Sequence, residues 1–172
     1  MSAGKRKLTA RQLAELALLC ALMVAGKEAM RFLPNVHPVC TLMILGVLLY
    51  GARVLYPVAA FVLLEIALYG AGAWSVMYLY VWPLIALAAL PFRRSRSWLF
   101  WAVFAGIFGL AFGLLCAPTY WVIGGWQMAL SWWASGIPYD LMHGAGNFAL
   151  TLVLLPPLYR AALRAGCAGK PD

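Results

Sequence analysis

An all-α integral membrane protein, a bundle of six transmembrane helices with both termini cytoplasmic, is the fold predicted by this sequence. Three observations lead there. Of 172 residues, 65% are hydrophobic and only 10% charged, whereas a soluble domain carries roughly a quarter charged residues. The mean hydropathy is +0.87. Apolar runs then recur at membrane-spanning length, and the basic residues fall between them in an alternating pattern rather than along one stripe.

The first expected span covers residues 10–30. Its basic start and apolar stretch resemble a signal peptide, but cleavage after Ala25 would place Met23 where a small side chain is needed. The segment is therefore expected to stay as the first helix. Ala17, Ala21 and Ala25 form an AxxxAxxxA ladder on it, preceded by Ala10 and Ala14. Small residues every four positions let a second helix approach closely, within this chain or in a partner. The next spans, 37–51 and 55–70, are short: about 15 residues at about 1.5 Å each reach only about 23 Å. Gly51 and Pro57 bracket the turn between them. Spans at 74–92, 98–117 and 137–160 complete the set. The connection 118–136 holds four of the eight tryptophans, is broken by Gly124 and Gly125, and contains a possible interfacial helix at 126–134. Its rings form either an aromatic belt or a lid over a flat ligand.

Orientation follows from charge. Lys5, Arg6, Lys7, Arg11, Arg53, Arg93, Arg94, Arg96, Arg160, Arg164 and Lys170 all fall on one side of a six-span chain. The positive-inside rule makes that side cytoplasmic in a multi-pass protein of a prokaryotic plasma membrane. Lys27 and Arg31, beside Glu28, are the basic residues left on the outer side.

Other polar side chains collect on that outer side. Asp140, His143 and Asn147 are spaced by three and four residues, so they share one helix face. Ionisable groups inside a bilayer are costly and mark a ligand path, a proton path or a pairing contact. Asp140 has an alternative role as a helix cap, and His143 as a bond to a neighbouring helix. Glu65 and Tyr69 form a second pair four residues apart, and Asn35 and His37 sit in a loop stiffened by Pro34 and Pro38. One hydrated outer pocket lined by these groups is expected, with Lys27 and Arg31 placed to meet an anionic part of a ligand.

Several classes lack support. The four cysteines are far apart, with no CxxC and no Cys/His spacing for zinc, so no metal site is expected. No HExxH, GxSxG, P-loop or Gly-rich dinucleotide turn is present, so neither a cofactor nor catalysis is expected and ATP-driven work must borrow its energy. An intramembrane enzyme using Asp140 and His143 on a lipid or prenyl substrate is the competing class, and a structural subunit without a small ligand is the third. Nucleic acid is not an expected partner.

The segments "KEAMRFLPNVHPVCTLMILGVLLYG" (27–51) and "SGIPYDLMHGAGNFALTLVLLPPL" (135–158), with the alanine ladder, resemble the substrate-binding S components of energy-coupling factor transporters. That resemblance implies a six-helix subunit that captures a vitamin or related micronutrient at the extracellular face. It also implies partners, a membrane T subunit and two ATPase subunits, with Ala17, Ala21 and Ala25 as the docking face. The family pocket lies in the outer half, so Asp140, His143 and Asn147 are expected to face ligand or brace the pocket wall. Trp74, Tyr78, Trp121, Trp126 and Trp132 would offer stacking faces. Metal-specific relatives carry a histidine directly after the initiator Met; this chain begins "MSA", so nickel or cobalt is not the expected cargo.

Overall fold

The computed structural model describes residues 8–167; Lys5, Arg6, Lys7 and Lys170 lie outside them. Six helices and two 3-10 turns make up the described chain, without a strand among the described residues. The helices are α1 (Ala10–Ala29), α2 (Val39–Tyr50), α3 (Leu55–Tyr69), α4 (Ala73–Ala89), α5 (Trp98–Leu110) and α6 (Phe112–Arg164). Thr9 starts α1 through a reciprocal capping box, its hydroxyl accepting from the Gln12 amide while the Gln12 side chain accepts from the Thr9 amide. Ser97 caps α5 by accepting from the Phe100 amide at 3.2 Å. Gly51, at φ +59, closes α2 and opens the 3-10 turn Gly51–Val54, a backbone that L side chains rarely adopt.

Side-chain contacts fix the direction of each helix. The Arg11 guanidinium donates to the Ala165 carbonyl at 2.7 Å, the Tyr50 hydroxyl donates to Glu15 at 3.2 Å, and Arg96 donates to the Tyr159 hydroxyl. The start of α1, the end of α2, the start of α5 and the end of α6 thus meet at one end of the bundle. Arg53, Arg93 and Arg94 belong to the turns at this same end, which we call the basic end. At the opposite end Lys27 of α1 pairs with Glu65 of α3, and the Tyr69 hydroxyl donates to Glu28. α1 and α3 are therefore parallel, and α2 runs against both.

By length and apolarity, three stretches of the described residues are able to cross a membrane: Val39–Tyr69, Ala73–Phe92 and Trp98–Arg164. The first comprises α2 and α3, which the contacts above show running in opposite senses. α1 stands outside the three because it carries Arg11 and Glu15 near one end and Lys27 and Glu28 near the other. α2 is the central helix, with every residue except Leu48 and Tyr50 buried, packed against α1, α4 and α6.

α5 and α6 pack most extensively. Glycines make this possible: a Cβ on Gly109 would come within 2.7 Å of the Gly144 backbone, and one on Gly144 within 2.6 Å of Leu110. With no apolar driving force between helices in lipid, such close approach supplies the dispersion contacts that hold them together. The region beyond differs from the sequence expectation. Residues 118–136 were expected to form an open connection with a separate helix at 126–134. Instead residues 112–123 are helical, only Gly124 and Gly125 leave helical geometry, and residues 126–164 continue as one helix. Pro118 and Pro138 are accommodated inside this helix, although a proline removes one backbone hydrogen bond and marks a boundary in sequence. The break falls where Gly125 takes φ 77 and ψ −174, a conformation that needs glycine.

Gly109→Ala is expected to lower stability by about 1–3 kcal/mol through overpacking, read as a lower thermal unfolding midpoint in detergent. Gly136→Ala, where an added Cβ meets nothing within 4 Å, should shift it upward or leave it unchanged. Equal midpoints for Gly109→Ala and the unaltered chain would contradict the α5–α6 approach.

Candidate functional site

The end of the bundle away from the arginine-rich turns carries the chain's polar chemistry. Glu65 is fully buried near the end of α3, one turn before the glycine that stops the helix. Its Oε2 accepts from the Lys27 ammonium, while its Oε1 has no hydrogen-bond partner. Lys27 also lies 4.9 Å from the centre of the Tyr69 ring, a cation–π contact. The Tyr69 hydroxyl reaches Glu28, and Arg31 approaches the same carboxylate at 3.8 Å from the exposed rim. Beside this network lies a cleft of about 170 Å³ lined by Lys27, Glu65, Tyr69, Trp74 and Tyr78. Trp74 and Tyr78 are four residues apart on α4, so both rings face the cleft, meeting edge to face at 5.2 Å.

A second polar group lies deeper. α6 buries Asp140, His143, Asn147 and Thr151 along one face. Asp140 Oδ1 accepts from the Gly113 amide at 2.9 Å, and a side chain on Gly113 would collide with that carboxylate. Asp140 therefore braces the start of α6 against its later half. At the other end of the stripe, the hydroxyls of Thr151 and Thr41 are 2.8 Å apart and join α6 to α2. Between these two positions His143 and Asn147 have no hydrogen-bond partner, and neither does Asp140 Oδ2. The His143 ring lies 5.5 Å from His37 and 4.8 Å from Phe112, and His37 lies 6.1 Å from Trp82. Trp82 in turn meets Tyr78 at 5.5 Å, so the Tyr78 ring is shared by the cleft and the deeper cluster.

The sequence-derived residues therefore divide. Lys27, Glu65, Tyr69, Trp74 and Tyr78 surround the cleft; His37, Asp140, His143 and Asn147 are buried beyond Tyr78. Arg31 is at the rim, and Asn35 occupies the loop before α2 at φ 57. Trp121 and Trp126 are exposed on either side of the Gly124–Gly125 break, and Trp132 stacks on Tyr120 at 4.0 Å. None of the three lines the cleft; they sit on the two helical arms that meet at the Gly124–Gly125 break. Helical continuity through Pro118 holds them there. Ala17, Ala21 and Ala25 are all exposed on α1. Sequence reasoning missed Trp82, although its spacing of four from Tyr78 and eight from Trp74 was a signal. The Thr41–Thr151 bond had none, because one hydroxyl in an apolar helix does not announce its partner.

Comparison with known protein families, with curated proteins and with solved structures finds no match for this chain.

Lys27→Met would leave the buried Glu65 carboxylate without its cation, and is expected to cost about 3–5 kcal/mol. The double variant Lys27→Met/Glu65→Leu should recover most of that loss. Unfolding of the purified single and double variants checks the pair; two equal losses would mean that the pair does not hold α1 to α3.

Proposed function

We propose that this chain is the substrate-binding membrane subunit of an energy-coupling factor transporter. It captures a vitamin or related micronutrient at the extracellular side and delivers it inward with a T subunit and two ATPase subunits. In this reading six helical legs cross a prokaryotic plasma membrane, the basic end faces the cytoplasm under the positive-inside rule, and the Lys27–Glu65 end opens outward.

The observation that carries the reading is the convergence of Lys27, Glu65, Tyr69, Trp74 and Tyr78 on one cleft, at the end opposite the arginine-rich turns. A cation, a carboxylate with an uncommitted oxygen and aromatic faces form a binding surface for a small polar molecule. At about 170 Å³ the cleft accepts one ring or one charged group, less than the roughly 300–1,000 Å³ of a site enclosing a whole drug-sized ligand. The exposed face of Ala17, Ala21 and Ala25 supports the partnership, since small side chains left outside this bundle offer close approach to another protein's helix.

Native mass spectrometry of the purified chain should show a retained small molecule that is released unchanged, with no conversion of added lipid. Ala21→Leu should abolish uptake in cells carrying the energising subunits while that molecule is still retained. Lipid turnover, or loss of retention with uptake intact, would overturn the proposal.

A further inference from the structure

Four side chains packed between α2, α4 and α6 present six buried polar atoms without a hydrogen-bond partner. They are His37 Nδ1, Trp82 Nε1, both ring nitrogens of His143, and Asn147 Oδ1 and Nδ2. His143, Trp82 and Asn147 are each at least 99% buried, and His37 is 92% buried. Unpaired polar atoms in a closed interior are expensive, and apolar side chains of the same shape would avoid the cost. The fold does pair the polar positions on either side, Asp140 with the Gly113 amide and Thr151 with Thr41. In the middle of the stripe neither His143 nor Asn147 has any partner, and Asp140 Oδ2 is open beside them.

We infer that this cluster is a second binding point, which reads the edge of a neutral planar heterocycle belonging to the transported molecule. The inference rests on the function proposed above and adds the chemical class of the substrate. Three features select that class. The cluster offers donors and acceptors together: the indole donates, the amide does both, the His143 imidazole supplies one of each, and His37 Nδ1 supplies one or the other. An anion would instead require donors alone, and a metal ion would require a third ligand. No group of three His, Cys, Asp or Glu side chains converges among the described residues. The surroundings are aromatic, with Phe112 at 4.8 Å and Phe108 at 6.5 Å meeting the His143 ring edge to face, the geometry in which rings also receive the edge of a further flat ring. An amide such as that of Asn147 pairs in two-bond fashion with a ring edge carrying an adjacent donor and acceptor.

The path to the cluster is also defined. Tyr78 lines the cleft and meets Trp82 edge to face, so displacement of this ring would open the cluster to the cleft. The bound molecule then has its planar head among His37, Trp82, His143 and Asn147 and its charged part at Lys27 and Glu65.

The test uses the full chain in lipid nanodiscs and 2-aminopyrimidin-4-one as probe, a neutral ring with a mixed donor–acceptor edge, followed by saturation-transfer NMR. The unaltered chain and Val122→Ala should bind the probe equally. Asn147→Leu and His143→Phe should weaken binding at least tenfold, with unfolding midpoints at or above that of the unaltered chain. Trp82→Phe, which removes one donor and keeps an aromatic ring, should weaken it at least threefold and serves if either larger change disturbs folding. No binding by the unaltered chain, or equal binding by all variants, would overturn the inference and make the cluster a hydrated structural core. The two readings fail separately. A chain that retains a small molecule and supports uptake yet ignores the probe overturns the second binding point alone. A chain that binds the probe through Asn147 but supports no uptake with the energising subunits overturns the transport function and keeps the site.

Discussion

A carboxylate buried in an apolar interior is costly unless it is paired, and Glu65 has a cation in Lys27. Much of the arrangement follows from that pair. It brings the ends of α1 and α3 together, which makes those helices parallel and requires the chain between them to return the other way as α2. It leaves α2 enclosed at the centre of the bundle. It also places a cation and a carboxylate oxygen beside Tyr69, Trp74 and Tyr78. A contact that stabilises the fold therefore also forms the most polar surface of the cleft.

The hairpin of α5 and α6 is held together by different means. Its glycines bring two backbones into contact, and the small separation lets Asp140 reach across to the Gly113 amide. Once the hairpin is fixed, the spacing of α6 carries His143, Asn147 and Thr151 inward on the same face. The helix thus imposes a line of polar positions on the interior, of which Thr151 is paired with Thr41 of α2 and Asp140 Oδ1 with the Gly113 amide, while at its centre His143 and Asn147 are not paired. Aromatic rings from α4 connect that centre to the cleft.

Much of this was legible in the sequence because the underlying signals are periodic. The apolar runs marked an all-helical membrane-type chain, the spacing of Asp140, His143 and Asn147 placed them on one face, and Glu65 with Tyr69 marked the cleft. What periodicity could not resolve was continuity and partnership. The span expected to end at 117 runs on through Pro118, and the one expected to start at 137 begins near 126, while the break at Gly124–Gly125 falls where the sequence put it. The tryptophans of 118–136 sit on the helical arms around the break and do not line the cleft. Two separate polar groups, rather than one pocket, emerge because the Tyr78 ring stands between them, and a tertiary partition of that kind leaves no trace in local spacing.

The transport reading depends on the Lys27–Glu65 end being open to water on the extracellular side. Thiol accessibility in intact cells measures this directly, using Trp74→Cys at the cleft and Ser97→Cys at the basic end, in a chain whose native cysteines are replaced. A small charged methanethiosulfonate added outside should modify Trp74→Cys and reach Ser97→Cys only after the membrane is permeabilised. Modification of Ser97→Cys from outside, with Trp74→Cys protected, would contradict the account.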